Sequence, residues 1–156
     1  MSASSTPGSV ADLVAAHRVI ALDSDVLIYL LENRLPVADR VAEIVDALEA
    51  GTVRSVIATV AITEVLTGPA RTGDTVAFET MADELQSIQH LRIVPLDAEL
   101  ASDAAWLRGA GDRDLIDAVH LASARKAGAT VFVTNDRRIR SRPGLEVIYL
   151  SDLVTA

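Results

Sequence analysis

The chain has 156 residues, half of them apolar and chiefly Ala, Val, Leu and Ile, which suits one domain with a full core. A net charge of −8 argues against a general nucleic-acid coat, and the absence of cysteine excludes a disulfide frame, a thiolate metal site and a cysteine nucleophile. No apolar run approaches the roughly 18–20 residues that span a bilayer, and Met1 to Ser9 lack the basic start and apolar stretch of a signal peptide, so the expected compartment is the cytoplasm, with no membrane contact.

In chain order, Met1 to Ser9 form a Ser, Thr, Pro and Gly tail, and Val10–His17 a lead-in helix; residues 1–17 are expected as a partly disordered extension before a domain over 18–154. Arg18–Ser24 reads as a buried strand and Asp25–Asn33 as a helix. Pro36–Ala50 is an amphipathic helix, with Val37, Val41, Ile44, Val45 and Leu48 recurring at three and four residues, Pro36 in its first turn and Gly51 at its stop. Val53–Ala58 is a second strand. Thr59 is expected to cap the helix that carries Glu64, and Gly68-Pro69 to end it.

Arg71–Asp74 is expected as a loop, Thr75–Gln89 as a helix, Leu91–Pro95 as a strand and Asp97–Gly109 as a helix containing Trp106. After a break at Gly111-Asp112 come a helix over Arg113–Ala127 stopped by Gly128, a strand over Thr130–Thr134, a basic connection over Asn135–Pro143 and a last strand over Leu145–Leu150. This β–α alternation predicts an α/β fold, a central parallel sheet of about five strands flanked by helices.

Four acids stand where elements meet. Asp23 closes the first strand, Glu64 follows the second, Asp117 opens the alanine-rich helix and Asp136 follows the strand Val131–Thr134. Ligands bind at the carboxyl ends of the strands in open α/β sheets. Carboxylates gathered there repel one another, so one must protonate or a cation must neutralise them. A divalent cation with oxygen ligands answers that need and points to phosphoryl chemistry. Each acid also has a plainer reading. Asp25, two residues after Asp23, suits a helix cap or an outer support; Glu64 suits a half-exposed surface; Asp114 suits the N-terminal turn that it shares with Asp117. His120 continues the face of Asp114 and Asp117 but has apolar neighbours, which suits a packed, hydrogen-bonded histidine more than a ligand. Thr134 can orient a carboxylate through its hydroxyl, and Asn135 can hold a positive φ at a tight turn.

Val19-Ile20-Ala21-Leu22-Asp23-Ser24, Thr59 with Glu64-Val65, Asp117-Ala118-Val119-His120-Leu121-Ala122 and Val133-Thr134-Asn135-Asp136 resemble the four motifs of the PIN domain, in the family's order and over residues 18 to 154. The nearest resemblance is to the VapC-like toxins of type II toxin–antitoxin pairs. Asp25 departs from the pattern, since the family often has a small polar residue there. The resemblance implies a Mg²⁺- or Mn²⁺-dependent endoribonuclease in which Asp23, Glu64, Asp117 and Asp136 bind metal and carry catalysis, with Thr134, Asn135, Ser24 and Asp114 in support. It also implies a homodimer neutralised by a small antitoxin, with RNA as substrate.

If RNA is the substrate, the grip falls to arginine on phosphate, because aromatics make up only 3% of the chain and Lys126 is its one lysine. Arg113, Arg137 and Arg138 are the first candidates, with Arg140 and Arg142 behind them; a solvated basic loop is the plain alternative. A haloacid-dehalogenase-like phosphatase using Asp23 is the main rival, since Asp23-Ser24-Asp25 resembles its nucleophile motif, but its lysine should precede the late acidic motif and Lys126 follows Asp117. A catalytically silent PIN-type binding module is the other rival.

Overall fold

A computed structural model describes residues 5–34, 37–111 and 114–155. Successive side chains of a strand point to opposite faces, and here the two faces feed two cores. β1 (Val19–Leu22) sends Ile20 and Leu22 to one core and Ala21 to the other. β2 (Arg54–Ala58) sends Ile57 to the first and Val56 and Ala58 to the second. β4 (Val131–Thr134) is buried throughout and splits Val131 and Val133 from Phe132 in the same way. Such unbroken apolar strands are what a sheet covered on both faces requires.

The five strands are parallel, in the order β3-β2-β1-β4-β5, with β3 at Leu91–Val94 and β5 at Glu146–Tyr149. The first core is covered by α1 (Val10–Ala16), α2 (Ser24–Leu31), α3 (Val37–Glu49), α4 (Thr59–Thr72) and α5 (Thr75–Ser87), the second by α6 (Ala98–Gly109) and α7 (Leu115–Lys126). From β1 the chain winds outward through β2 to β3, then returns to lay β4 on the other side of β1. The strand order therefore reverses between β1 and β4, the place where open sheets leave a crevice at their carboxyl ends.

Several expectations are corrected. α4 runs through Gly68-Pro69 and ends at Gly73, whose φ of +68° suits glycine. Pro69 costs the helix one hydrogen bond, yet it continues a buried stripe with Ala61 and Val65 at spacings of four, and that packing carries the helix on. The expected loop over Arg71–Asp74 shrinks to Gly73 and Asp74, where Asp74 caps α5 by accepting the Ala77 N–H. Thr59 does not cap α4; its hydroxyl donates to the Val94 carbonyl at 2.7 Å and accepts the Leu96 N–H at 3.1 Å, tying α4 to the exit of β3. Pro36, Asp112 and Arg113 lie outside the described residues.

The lead-in helix α1 is part of the packed unit. Val10 and Leu13 are fully buried in the first core, and Ser9 pairs with Val154, so the folded region reaches back to Ser9. No helix among the described residues is long and apolar enough to cross a membrane.

Candidate functional site

The crevice between β1 and β4 is closed by hydrogen bonds around Asp23. Its backbone N–H donates to the Val133 carbonyl, which fixes the chain as it leaves β1. Its side chain caps α2, with Oδ1 accepting the Ser24 N–H at 2.8 Å, so Asp23 and not Asp25 starts that helix. Oδ2 accepts the Thr134 hydroxyl at 2.7 Å. Thr134 is fully buried and in turn accepts the Asp136 N–H at 2.9 Å. One buried hydroxyl thus links the ends of β1 and β4.

Asp25 sits in the first turn of α2 and accepts the Asn135 N–H at 2.9 Å on Oδ2, while Oδ1 is buried without a partner. Burial, then the neighbouring Asp23 charge, pushes its carboxyl up to about 6, against its hydrogen bonds. Asn135 does not adopt a positive φ; among the described residues, Asn33 and His90 are the non-glycine residues that do. Asn135 serves instead through its side chain, whose Oδ1 accepts the Ser151 N–H at 2.9 Å and holds the turn beyond β5.

α7 brings the second group of acids. Asp114 is its cap, with Oδ1 accepting the Ile116 and Asp117 N–H groups at 2.8 and 3.0 Å. Burial, followed by the charges of Asp114, Asp23 and Asp136, pushes Asp117 up to about 6, against the opposing charge of His120. His120, one turn on, is buried; its Nε2 lies 2.6 Å from Glu64 Oε1 and 3.6 Å from Asp23 Oδ1. Burial works against a charged ring there, but the Glu64 hydrogen bond and the Asp23 and Glu64 charges outweigh it, and the pKa rises above its ordinary value. His120 is thus buried and hydrogen-bonded, as its apolar neighbours suggest, and the partner that the sequence left unnamed is Glu64. The place of His120 one turn beyond Asp117, on the face of Asp114 and Asp117, was the available signal.

Asp23, Glu64 and His120 each bring a candidate ligand atom, and these atoms lie within 4.8 Å of one another. The two carboxylates suit Mg²⁺ or Mn²⁺; the imidazole, engaged by Glu64 through Nε2 and drawn toward its charged form, supports Glu64 instead of offering a lone pair to the cation. The upward push on Asp117 is a second sign of fit, since excess negative charge there is what a bound cation relieves. Asp23, Ser24, Asp25, Glu64, Asp117 and Asp136 all line one hollow of about 280 Å³. A larger hollow of about 490 Å³ adjoins it, sharing Asp114, Asp117 and Arg138 and extending to Gly111, Leu121 and Arg142.

The expected phosphate-binding arginines divide. Arg113 is outside the described residues. Arg137 turns toward the end of β5, paired with Asp152 at 2.6 Å and lying 4.6 Å over the Tyr149 ring. Arg138 stays at the acids, with Nε and Nη2 on the Asp136 carboxylate at 3.0 and 2.8 Å, and this pairing holds Asp136 below the usual carboxylate range.

No curated protein sequence matches the chain. Among solved structures, it is similar to VapBC2 from Rickettsia felis bound to a promoter DNA fragment, with a TM-score of 0.67, 17% identity and coverage of 84% of this chain and 98% of that one. A toxin–antitoxin complex from Klebsiella pneumoniae gives a TM-score of 0.59 at 21% identity, covering 81% and 94%. VapC20 of Mycobacterium tuberculosis, a Sarcin-Ricin loop cleaving toxin, gives 0.56 at 19%, covering 72% and 86%. These likenesses show a shared fold. The PIN domain family model matches residues 20–145, a span that begins in β1 and runs past all four acids, and the chain belongs to the PIN domain family.

Proposed function

We propose that the protein is a metal-dependent endoribonuclease, the toxin of a toxin–antitoxin pair, acting in the cytoplasm on RNA. The observation that carries this reading is the convergence of Asp23, Glu64, Asp117 and Asp136, from four elements, on one hollow at the sheet's reversal point. The Sarcin-Ricin loop cleaved by the VapC20 relative supports RNA as the substrate class, and the toxin–antitoxin complexes with this fold support a small antitoxin as partner. A homodimer is part of the same reading.

Asp23, Glu64 and Asp117 are the residues to hold Mg²⁺ or Mn²⁺. Thr134 fixes the Asp23 carboxylate from one side and His120 fixes Glu64 from the other. A cation bound there supplies Lewis-acid activation of water near neutral pH and offsets charge on the phosphate. Water attacks phosphorus, the bond to the 3′-oxygen breaks, and the products are a 3′-hydroxyl and a 5′-phosphate. No side-chain nucleophile is needed. The geometry weighs against the aspartyl-phosphate alternative: Lys126 pairs with Glu99 at the far end of α7, nine residues or about 13 Å of helix beyond Asp117.

The test is end-sequencing of total bacterial RNA after incubation with the purified protein in Mn²⁺. New 5′-phosphate ends at defined sites are expected, absent with EDTA and reduced at least about 100-fold in Asp117→Asn, the scale lost with one preorganised electrostatic contact. No new ends would overturn the reading. Hydrolysis of an aryl phosphate that Asp23→Asn abolishes would then establish the phosphatase.

A further inference from the structure

Asp136 makes contacts unlike those of the other three motif acids. The ligand atoms that close to within 4.8 Å belong to Asp23, Glu64 and His120, without Asp117 or Asp136, and of these two, among the described residues, only Asp136 is held by an arginine. Both Asp136 oxygens are engaged elsewhere. Oδ1 accepts the Arg138 backbone N–H and Nε, each at 3.0 Å, and Oδ2 accepts Nη2 at 2.8 Å. A fork of this kind fixes a guanidinium in orientation as well as position.

The fork is anchored inward. The Asp136 N–H donates to Thr134, and Thr134 donates to Asp23, so a continuous chain of hydrogen bonds runs from the metal-holding acid to Arg138. Arg138 is 83% exposed in its side chain, and Nη1 has no hydrogen bond among the described residues. It lines both hollows and is the one basic residue among the described residues lining the acidic one. Arg137, its neighbour in sequence, is turned away to Asp152 and Tyr149.

We propose that Asp136 is a positioning residue that holds Arg138 over the ridge between the two hollows, where Arg138 binds the RNA phosphate next to the one cut. The role rests on the nuclease reading and replaces, for Asp136 alone, the metal ligation that the family resemblance implies. Nε and one Nη2 hydrogen serve Asp136, and the outward N–H groups are left for phosphate oxygens. The larger hollow, extending past Arg138 toward Ile139 and Arg142, is then the track of the RNA strand away from the acids.

The test compares binding of a labelled mixed-sequence single-stranded RNA oligonucleotide in Ca²⁺, the Mn²⁺-induced rise in Tm, and the Tm in EDTA, for wild type, R138A, D136N, the double variant and D117N. R138A should weaken RNA binding roughly tenfold and lower the slope of log K against log salt by about 0.7, the value for one phosphate contact on a single strand. D136N removes a negative charge, so it should tighten RNA binding if the acid only repels; a positioning role predicts weaker binding instead. In the R138A background D136N should cost nothing further. D136N should keep the full Mn²⁺ shift, whereas D117N loses it. Unweakened RNA binding in D136N, or a Mn²⁺ shift lost in D136N as in D117N, overturns the proposal and leaves the nuclease reading standing. Wild-type protein that binds no RNA overturns both.

Discussion

Asp25 and His120 carry opposite charges into the same crevice, and each yields a test. Asp25 Oδ2 receives the Asn135 N–H, while its buried Oδ1 has no partner and its carboxyl is raised to about 6. An asparagine keeps the acceptor and loses the charge. Asp25→Asn is therefore expected to stabilise the metal-free protein by about 1–3 kcal/mol at pH 7.5, the scale of a shift of this size when mostly desolvated. At pH 4 the gain should vanish, because Asp25 is then protonated in the folded state. Urea unfolding at the two pH values measures both, and equal effects at the two would show that charge is not the cause. His120 is the converse case. Truncation to alanine strips Glu64 of its hydrogen bond and Asp23 of a neighbouring positive charge, and opens space beside Phe132. A loss of about 1–3 kcal/mol is expected at pH 6, partly recovered by His120→Gln, which keeps a donor. A variant as stable as wild type would mean that the 2.6 Å contact contributes nothing.

At the scale of elements, the site depends on how strand ends are tied to the helices that follow them. Thr59 is one such tie, joining the first turn of α4, and hence Glu64, to the end of β3 through Val94 and Leu96. Thr59→Val keeps the shape and removes both bonds, leaving the Val94 carbonyl and Leu96 N–H without that partner. A loss of about 1–2 kcal/mol in thermal or urea melts is expected, with a weaker Mn²⁺ response because Glu64 is less well held. Unchanged stability would show that water replaces the hydroxyl without cost. This tie was invisible in the sequence, because a threonine before a helix looks the same whether its hydroxyl reaches forward to cap or backward to a neighbouring strand. The strands themselves were legible: runs such as Val131–Val133 have no polar face to expose, and their alternation with helices allowed only a covered parallel sheet. Gly68-Pro69 misled because a local breaker signal was weighed without the buried stripe Ala61, Val65 and Pro69. At the site, acids at strand ends were legible from position alone. The pairings of Glu64 with His120 and of Asp136 with Arg138 were not, since one spans 56 residues and the other is fixed by a turn.

For the whole molecule, the concentration of acids at one end of the sheet sets how stability responds to pH and metal. Asp25 and Asp117 ordinarily titrate near 3.8 and are raised to about 6 in the fold, so between those values the folded chain holds more protons than the unfolded one. Stability must then fall as pH rises through that window. His120 acts with the same sign at higher pH, because its raised pKa contributes stability below 6.5 that is lost as pH climbs through the folded value. Asp136 and Asp152, held low by Arg138 and Arg137, oppose this only below about pH 4, where their protonation costs stability. In EDTA, the Tm is therefore expected to decline from pH 4.5 to pH 7.5. On the nuclease reading a cation would reverse the balance, because it would bind the ionised carboxylates and displace their protons. Mn²⁺ at a hundred times its dissociation constant adds about 2.7 kcal/mol, or roughly 5–10 °C for a domain of this size, and the gain should shrink toward pH 5. A Tm series in EDTA and in Mn²⁺ across this range measures both slopes. Opposite trends with pH, a falling Tm without metal and a growing Mn²⁺ increment, are the signature of one shared acidic site. A Mn²⁺ increment independent of pH would place the metal elsewhere, and a flat profile in EDTA would mean that the acids do not strain the fold.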